Sequence, residues 1–251
     1  MFTLLLQKSP QFTMSSQKAK IKAVFFDFMG TCLDWHSSVV KSLPPSIPST
    51  EASELALEWR KQYFVYNEQR VQQNLDPEDI DISLAQTLEV IIDRFSDYKS
   101  YFDANVKRRL IEAWHTQPAW PEVKKAVQVL REEMGLEAYV HGNGTTRLQV
   151  DLTRFSGLSF NMLFSSELLG VYKPNLAAYK KVLELLKLDP EDVVMVAAHI
   201  YDLRGAKQCG MKTIYIHRWT DDVDEDMEVI KKEVDVFLED MEKLPSAIAS
   251  I

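Results

Sequence analysis

The segment around Asp27 combines a carboxylate with a backbone that can hold an anion. Asp27 closes the apolar run Ile21–Asp27, and Gly30 follows three residues later. A carboxylate at the end of a buried strand faces a crevice, and glycine lets the chain turn so that free N–H groups beyond it can bind anionic oxygen. An acid that only caps the next segment is the alternative, because Asp is common in turns.

A second segment with binding chemistry is the short loop Asn143-Gly144-Thr145. It follows an apolar run and precedes a predicted helix. Backbone N–H groups at a helix N-terminus attract anions, so this loop is suited to a substrate carboxylate. A plain helix N-terminal turn is the alternative interpretation.

Lys173 and Asp202 lie in the segments that follow the predicted strands 161–165 and 193–197. Two carboxylates close together raise each other's pKa, and a lysine between Asp27 and Asp202 counters this effect and keeps Asp27 ionised. The alternative is a lysine that only precedes a helix. Tyr179 lies six residues after Lys173 and could donate a hydrogen bond to a carboxylate, although a core tyrosine is nearly as good an interpretation.

Short apolar runs alternate with helical patterns over much of the chain. This alternation predicts an α/β fold with a Rossmann-like parallel sheet and helices on both faces. In such folds ligands bind at the carboxyl ends of the strands, where the polar segments above lie. The predicted strands are 21–27, 137–141, 161–165, 193–197 and 213–216, and the predicted helices are 122–134, 145–155, 176–186 and 203–209.

A long helical block interrupts this alternation directly after the first strand. Residues 51–114 carry apolar side chains at helical spacing, and one helix start is predicted at Asp76–Asp79 with Pro77 in its first position. We therefore predict an inserted helical cap. The predicted domains are a flexible extension at 1–19, a core formed by 20–41 plus 119–251, and a cap at 42–118.

The composition excludes several classes of protein. With 46% hydrophobic and 26% charged residues in 251, the chain is not disordered, collagenous or disulfide-rich. A net charge of −8 without a basic patch argues against a nucleic-acid partner, and no apolar run approaches the ~20 residues of a membrane span. The two distant cysteines favour a cytoplasmic location. The acidic stretch 221–243 is interpreted as a solvated helix face near the C-terminus.

Four segments resemble the sequence motifs of the haloacid dehalogenase superfamily, in the right order and spacing. The resemblance implies that Asp27 is a nucleophile and that Thr31, four residues later, assists it. The matching segments are Phe26-Asp27-Phe-Met-Gly-Thr31, Asn143-Gly144-Thr145, Val171-Tyr172-Lys173-Pro174 with Tyr179, and Ala197-Ala-His199-Ile-Tyr-Asp202.

Two positions separate the chain from the phosphatases of that superfamily. Phosphatases carry a second Asp where this sequence has Met29, and an acidic partner of Asp202 where this sequence has Ala198. Mg²⁺ needs several oxygen ligands, and a phosphate ester needs a general acid for its leaving group. A reaction without metal or other cofactor, and with a leaving group that needs no proton, fits better. Halide is such a leaving group.

A segment of the helical block supports the type II, or L-2-haloacid dehalogenase, branch. Glu58-Trp59-Arg60-Lys61-Gln62 is similar to a cap segment of those enzymes in which the Arg binds the departing halide or the substrate carboxylate. A cation there stabilises the charge that grows on the leaving group. A surface Arg with a solvated head is the alternative. The resemblance also places Met29 and Trp35 against the substrate.

Three positions depart from the type II pattern. Gly142 and Ala197 stand where the pattern has Ser, and His199 stands where it has Asn. The loss of two hydroxyls weakens the case for the usual haloacid. His199 could act as a general base on the hydrolytic water, because imidazole titrates near neutral pH. A neutral hydrogen-bonding role for His199 is equally open.

The resemblance implies a metal-independent 2-haloacid dehalogenase. Asp27 would displace halide from C2 of a short 2-halocarboxylate or related organic acid, and Arg60 would receive the halide. Water oriented by Asp202, Lys173 or His199 would then cleave the aspartyl ester. Two alternatives stay open: the same nucleophile acting on an ester, lactone or phosphorylated metabolite, and a binding protein on a degenerate site. A homodimer is one assembly that the resemblance allows.

Overall fold

The computed structural model describes residues 21–73, 75–76 and 78–251. The extension predicted for residues 1–19 and the predicted helix position of Pro77 lie outside these residues. In the described residues, the helix that was predicted to start near residue 77 begins at Ile80. Asp79 precedes it, and its side chain accepts the Asp81 N–H at 3.0 Å, which satisfies a donor of the first turn.

In the described part of the chain, six parallel strands form one sheet in the order β3-β2-β1-β4-β5-β6, which confirms the predicted α/β class. Five of them correspond to predicted strands. The sixth was not predicted, because it is a three-residue, half-buried edge strand within the acidic stretch. The strands are β1 Ala23–Phe26, β2 Glu137–Gly142, β3 Met162–Ser165, β4 Val193–Ala197, β5 Lys212–Ile216 and β6 Val236–Leu238.

Helices cover both faces of this sheet. The four predicted helices after residue 121 are present, with one shifted start: α9 begins three residues before the prediction, because the Asp222 carboxylate accepts the Ile200 N–H at 2.6 Å. The helices are α1 Trp35–Ser42, α2 Ser49–Gln72, α3 Ile80–Arg94, α4 Ala104–Ala113, α5 Val123–Gln128 with a π-helical turn Val129–Glu133, α6 Thr146–Ser156, α7 Ser166–Leu169, α8 Leu176–Leu186, α9 Ile200–Gln208, α10 Met227–Glu233 and α11 Leu244–Ser250, with 3₁₀ turns at Ser96–Tyr101 and Pro190–Asp192.

The central strands are buried on both faces. Along β1, Val24 and Phe26 join one apolar cluster, whereas Ala23 and Phe25 join a second cluster on the opposite face of the sheet. Alternate side chains of a strand point to opposite faces, so a strand between two helical layers must be apolar throughout. This explains why β1 reads as an uninterrupted apolar run. It also explains why a polar residue first appears where the strand ends, at Asp27.

Helices α2, α3 and α4 lie in the chain between β1 and β2 and pack against one another. The Trp59 indole N–H on α2 donates to the Leu84 carbonyl and to Thr87 Oγ1 on α3, both at 3.1 Å. The described residues between 42 and 118 contain helices and turns and no strand. The domain boundaries at 41/42 and 118/119 stay a prediction.

Several polar contacts join this helical block to the elements around the sheet. Lys61 Nζ contacts Asp224 at 2.7 Å, and the Glu78 N–H donates to the Tyr172 hydroxyl at 3.1 Å. These contacts hold α2 and the start of α3 over the carboxyl edge of the sheet. None of the helices in the described part of the chain is long and apolar enough to cross a bilayer.

Candidate active site

The segments that follow β1, β3 and β4 bring four of the predicted site residues to one edge of the sheet. Parallel strands end on the same side, so residues far apart in sequence meet there. Asp27, Lys173, His199 and Asp202 are all buried at this edge and form one cluster of contacts. The sequence prediction that these four side chains lie together therefore agrees with the structure.

Lys173 links the two carboxylates that it was predicted to neutralise. Its Nζ lies 3.0 Å from Asp27 Oδ1 and also donates to Asp202 Oδ2. Burial lowers the pKa of Lys173, but the charges of Asp202 and Asp27 outweigh burial and raise the pKa above its usual value. Burial raises the pKa of Asp27, but Lys173 and His199 outweigh this effect and hold the pKa well below its usual value. Asp27 is therefore ionised at neutral pH.

Thr31 is bound directly to Asp27. The Thr31 hydroxyl donates to Asp27 Oδ2 at 2.7 Å and accepts the Ala198 N–H at 2.8 Å. The accepted bond from the β4 loop fixes the direction of the hydroxyl proton. Thr31 therefore orients the Asp27 carboxylate between two strand ends.

Tyr179 and Asn143 position two members of this cluster, Asp202 and Lys173. The Tyr179 hydroxyl donates to Asp202 Oδ1 at 2.6 Å, and the Tyr179 side chain is fully buried. The Asn143 side chain donates to the Lys173 carbonyl and accepts the Lys173 N–H, both at 2.9 Å. We predicted that both residues bind substrate. Their polar atoms are instead committed to Asp202 and to the Lys173 backbone, so the geometry favours positioning roles.

The predicted anion-binding loop also has fewer free donors than expected. The Gly144 N–H donates to Ser166 Oγ at 2.9 Å, and the Thr146 N–H donates to Glu167 Oε2 at 2.8 Å. The Thr145 hydroxyl accepts the Leu148 N–H as the cap of α6. These bonds satisfy the helix N-terminus from within the protein. A substrate carboxylate would have to compete with Ser166 for the Gly144 N–H, so the geometry disfavours an anion there. An anion at the Thr145 N–H stays a prediction.

His199 lies between two carboxylates. Its Nδ1 is 3.0 Å from Asp27 Oδ2, and its Nε2 is 3.0 Å from Asp221 Oδ1. Burial lowers the pKa of His199, but the charges and hydrogen bonds of Asp27 and Asp221 outweigh burial and raise the pKa to about 10. The ring is an imidazolium at neutral pH. The two carboxylate partners therefore argue against both expectations for His199 in the free protein, a general base and a neutral hydrogen-bonding group, and its catalytic role stays a prediction.

Asp221 is the site residue that the sequence interpretation missed. It belongs to the acidic stretch interpreted as a solvated face, yet its side chain is fully buried and accepts hydrogen bonds from Trp35 Nε1 and Thr220 Oγ1. Burial raises the pKa of Asp221, but the hydrogen bond and charge of His199 outweigh burial and lower the pKa. Asp221 follows the carboxyl end of β5 by five residues, which was a usable signal because the other site residues occupy equivalent loops.

Gly30 is required at its position because Asp221 packs against it. The backbone of Gly30 has φ +83°, and a Cβ there would lie 2.6 Å from both carboxylate oxygens of Asp221. Residues other than glycine rarely adopt this backbone conformation, and a side chain at this position would have no space. The turn after Asp27 therefore serves to admit the Asp221 carboxylate.

Arg60 is buried above this cluster, which contradicts the alternative of a solvated surface arginine. It is 5% exposed, and its Nη2 lies 3.8 Å from Asp221 Oδ1. Its Nε and Nη1 are buried without a hydrogen-bond partner among the described residues. Four aromatic rings face the guanidinium at 4.6–5.9 Å from its Cζ: Trp35, Tyr63, Phe64 and Trp114.

Trp35 and Met29 complete the list of predicted substrate contacts. Trp35 is fully buried, stacks on Trp114 with ring centroids 5.5 Å apart, and donates to Asp221. This places Trp35 behind Arg60 and Asp221, so its contacts favour a supporting role over the predicted substrate contact. Met29 is 9% exposed in the turn after Asp27, beside the cluster. Its substrate contact stays a prediction.

The residues at this site do not fit a magnesium ion. Met29 and Ala198 supply no oxygen side chain, and the ammonium of Lys173 already contacts both Asp27 and Asp202. Hard cations such as Mg²⁺ require several oxygen ligands in octahedral geometry. Within the described ranges, no group of three or more His, Cys, Asp or Glu side chains is arranged to hold a metal ion.

The charges of the site are balanced within the protein. Asp27, Asp202 and Asp221 face the cations of Lys173, His199 and Arg60 through the contacts given above. A buried charge without a partner costs several kcal/mol, and removing one partner of such a pair costs about 3–5 kcal/mol. An anion that enters beside Arg60 meets a guanidinium with two free donors.

A family model, curated proteins and solved structures all relate this chain to haloacid dehalogenase-like proteins. A family model described as haloacid dehalogenase-like hydrolase matches residues 21–210. Haloacetate dehalogenase H-2 of Moraxella sp. (strain B) is 28% identical over 202 residues, which cover 80% of this chain and 87% of that protein. The crystal structure of the L-2-haloacid dehalogenase PA0810 superposes with a TM-score of 0.76 at 28% identity, covering 92% of this chain and 100% of that one.

The matches also include phosphatases. Glyceraldehyde 3-phosphate phosphatase of Pyrococcus furiosus is 26% identical over 221 residues, covering 78% of this chain and 80% of that protein. Both reaction classes therefore occur among the relatives. The family model spans most of the chain and includes Asp27, Lys173 and Asp202. The chain belongs to the family of haloacid dehalogenase-like hydrolases.

Proposed function

We propose that this protein is a metal-independent dehalogenase of short 2-halocarboxylic acids. The observation that carries the proposal is Arg60, a buried cation inside a shell of aromatic rings, two of whose nitrogens have no hydrogen-bond partner among the described residues. Such a site favours a small, weakly hydrated anion, because the surrounding rings exclude water and strengthen the attraction of the charge. Halide leaving from carbon is such an anion.

The first step is attack by Asp27 on C2 of the substrate. The Asp27 carboxylate is ionised and oriented by Lys173 and Thr31, so it can displace halide in line without a metal ion. The electron pair of the carbon–halogen bond leaves with the halide, which Arg60 receives. Halide needs no proton on departure, which is consistent with the apolar Met29 in the position of a general acid.

The second step is hydrolysis of the ester on Asp27. Asp202 is the base for water in this proposal, because it shares the Lys173 ammonium with the Asp27 oxygen that forms the ester. Burial also raises its pKa above the usual value, although Lys173 opposes the rise. A carboxylate with a raised pKa accepts a proton more readily. Lys173 contacts both Asp202 and the Asp27 oxygen, so it can return that proton to the departing group.

The test is a substrate panel with and without EDTA. Monochloroacetate and 2-chloropropionate report halide release, and a set of sugar and triose phosphates reports phosphate release. The substrate in the printed name of the Moraxella relative makes haloacetate the first choice. We expect halide release that EDTA leaves unchanged. Phosphate release that requires Mg²⁺ would assign the chain to the phosphatases, and neither product would support a binding protein.

Replacement of Arg60 tests directly whether this side chain binds the departing halide. We expect Arg60→Met to lower the rate of halide release by about 10²–10³-fold, because a preorganised cation no longer stabilises the leaving charge. Arg60→Lys should retain part of the rate, since its ammonium keeps the charge but lacks the planar fork. Arg94→Met, an exposed arginine on α3, is the matched control and should have no effect. Equal rates for Arg60→Met and wild type would contradict the assignment.

A further inference from the structure

The two carboxylate oxygens of Asp27 have different partners. Oδ1 is contacted by Lys173 Nζ at 3.0 Å. Oδ2 accepts the Thr31 hydroxyl at 2.7 Å and lies 3.0 Å from His199 Nδ1. Two donors withdraw more electron density from an oxygen than one, and they also occupy both of its lone-pair directions. Oδ1 is therefore the attacking atom, and Oδ2 becomes the carbonyl oxygen of the ester.

We infer that the His199 imidazolium, oriented by Asp221, acts with the Thr31 hydroxyl to stabilise the oxyanion that forms on Oδ2 during ester hydrolysis. This inference rests on the proposed dehalogenase function and names a catalytic residue for its second step. Donors aimed at the atom where charge develops act most strongly in a site that excludes water. His199 touches that atom, whereas Asp221 acts through His199.

The imidazole ring is held in place on every side. Its Nε2 lies 3.0 Å from Asp221 Oδ1, and Asp221 is fixed in turn by Trp35 and Thr220. Two aromatic rings pack against the His199 ring, Phe64 at 5.5 Å and Tyr201 at 5.7 Å between centroids. A donor fixed in this way does not have to reorganise when the charge forms, which is the condition for strong stabilisation.

The charge balance changes in the direction that favours this role. Once Asp27 is esterified, its carboxylate no longer carries a negative charge, whereas Asp221 stays ionised. The imidazolium then has one anionic partner instead of two. Negative charge that returns to Oδ2 restores the second ion pair, so the transition state regains an interaction that the ester lacks.

The step balances with the residues at the site. A water oxygen bonds to Asp27 Cγ, the π electrons move to Oδ2, and one water proton passes to Asp202. When the Cγ=Oδ2 bond reforms, the Cγ–Oδ1 bond breaks and Oδ1 leaves as the alkoxide of the 2-hydroxy acid. Lys173 protonates this alkoxide and recovers a proton from Asp202. Asp27, now a carboxylic acid, ionises and releases the second water proton to solvent.

The experiment separates ester formation from ester hydrolysis. Monochloroacetate is mixed with enzyme, the reaction is quenched at intervals, halide is measured, and intact-protein mass spectrometry measures the carboxymethyl ester on Asp27. We expect His199→Ala to slow hydrolysis by about 10²–10³-fold. One halide per enzyme should still be released in the first turnover, and the ester should accumulate. His199→Leu, which fills more of the space, serves if the Ala variant does not fold.

A second substitution distinguishes a donor from a base. The His199→Asn amide can donate to Oδ2 but cannot accept the proton of water, so we expect it to restore hydrolysis at least about tenfold over His199→Ala. Equal slowing and equal ester in both variants would overturn the inference in favour of a general base. Normal hydrolysis in His199→Ala would overturn it as well. If wild type forms neither halide nor ester, the proposed function itself fails, and the inference with it.

Asp221 has its own test as a positioning residue. Asp221→Asn keeps the shape of the side chain but removes the charge that faces His199. We expect ester hydrolysis to fall by at least about tenfold while first-turnover halide release changes less, because the contact of Asp221 with Arg60 is long, at 3.8 Å. A purely structural role would slow both steps equally and leave no ester.

Discussion

Replacing Asp27 by Asn is expected to abolish halide release, with a loss of about 10⁴-fold or more. An amide is a poor nucleophile, and removing the attacking group of a covalent mechanism removes both steps at once. The fold should survive, because Asn has nearly the same volume. Lys173 keeps Asp202 as a partner and His199 keeps Asp221, so neither buried cation is left alone. Halide release and mass spectrometry on the same samples give the measurement.

The control for this substitution is Asp97→Asn, which makes the same chemical change at an exposed position outside the site. It should leave turnover unchanged. Thermal unfolding of both variants establishes that each is folded. Halide release from a folded Asp27→Asn protein at more than about one-hundredth of the wild-type rate would exclude covalent attack by this residue.

Replacing Lys173 by Met is expected to lower both turnover and stability. We expect a fall in halide release of about 10³-fold, because the pKa of Asp27 rises without its main neutralising charge and the departing alkoxide loses its proton donor. The free energy of unfolding at pH 7 should fall by about 3–5 kcal/mol, since two buried carboxylates lose a shared cation. Lys180→Met, an exposed lysine on α8, is the matched control.

The stability loss in Lys173→Met should depend on pH. Burial already raises the pKa of Asp202 with Lys173 present, so without Lys173 the folded-state pKa of Asp202 lies further above its unfolded value. A group with a raised folded pKa contributes stability below the unfolded pKa and loses it as pH rises through the folded pKa. The variant should therefore approach wild-type stability near pH 4. A stability difference that stays constant from pH 4 to pH 8 would contradict a charge-based role for Lys173.

Strands and helices were accessible from local pattern, and the central site residues from the motifs that resemble the haloacid dehalogenase superfamily. Uniformly apolar runs predicted β1 and β4 because both strands are covered on two faces, and the polar residues after them marked the carboxyl edge. β6 was not predicted, because an edge strand of three half-buried residues does not produce a long apolar run in the sequence. The start of α9 was misplaced because Asp222, twenty-two residues away, binds its first N–H.

The roles of individual polar side chains were predicted less well than their locations. Asn143, Gly144 and Thr145 look like an open anion site when only neighbouring residues are considered. In the folded chain Lys173 and Ser166, which lie on another segment, take the Asn143 side chain and the Gly144 N–H. An N–H group can bind a substrate only if no acceptor from another segment already bonds to it. The local sequence of a strand and its loop does not show those acceptors.

Residue order alone was sufficient for the parallel α/β class, the edge of the sheet that holds the site, and Asp27 with Lys173 and Asp202 at its centre. The first two features follow from periodicity and from the rule that parallel strands end together, and the three residues follow from the motifs that resemble the haloacid dehalogenase superfamily. Packing between distant segments was needed for the remainder: the charge of His199, the burial of Asp221 within an acidic stretch, and the unpartnered donors of Arg60. Ionisation and hydrogen-bond satisfaction depend on which charges and ring faces surround a group within a few ångströms, and those neighbours come from β1, β5 and α2 at once.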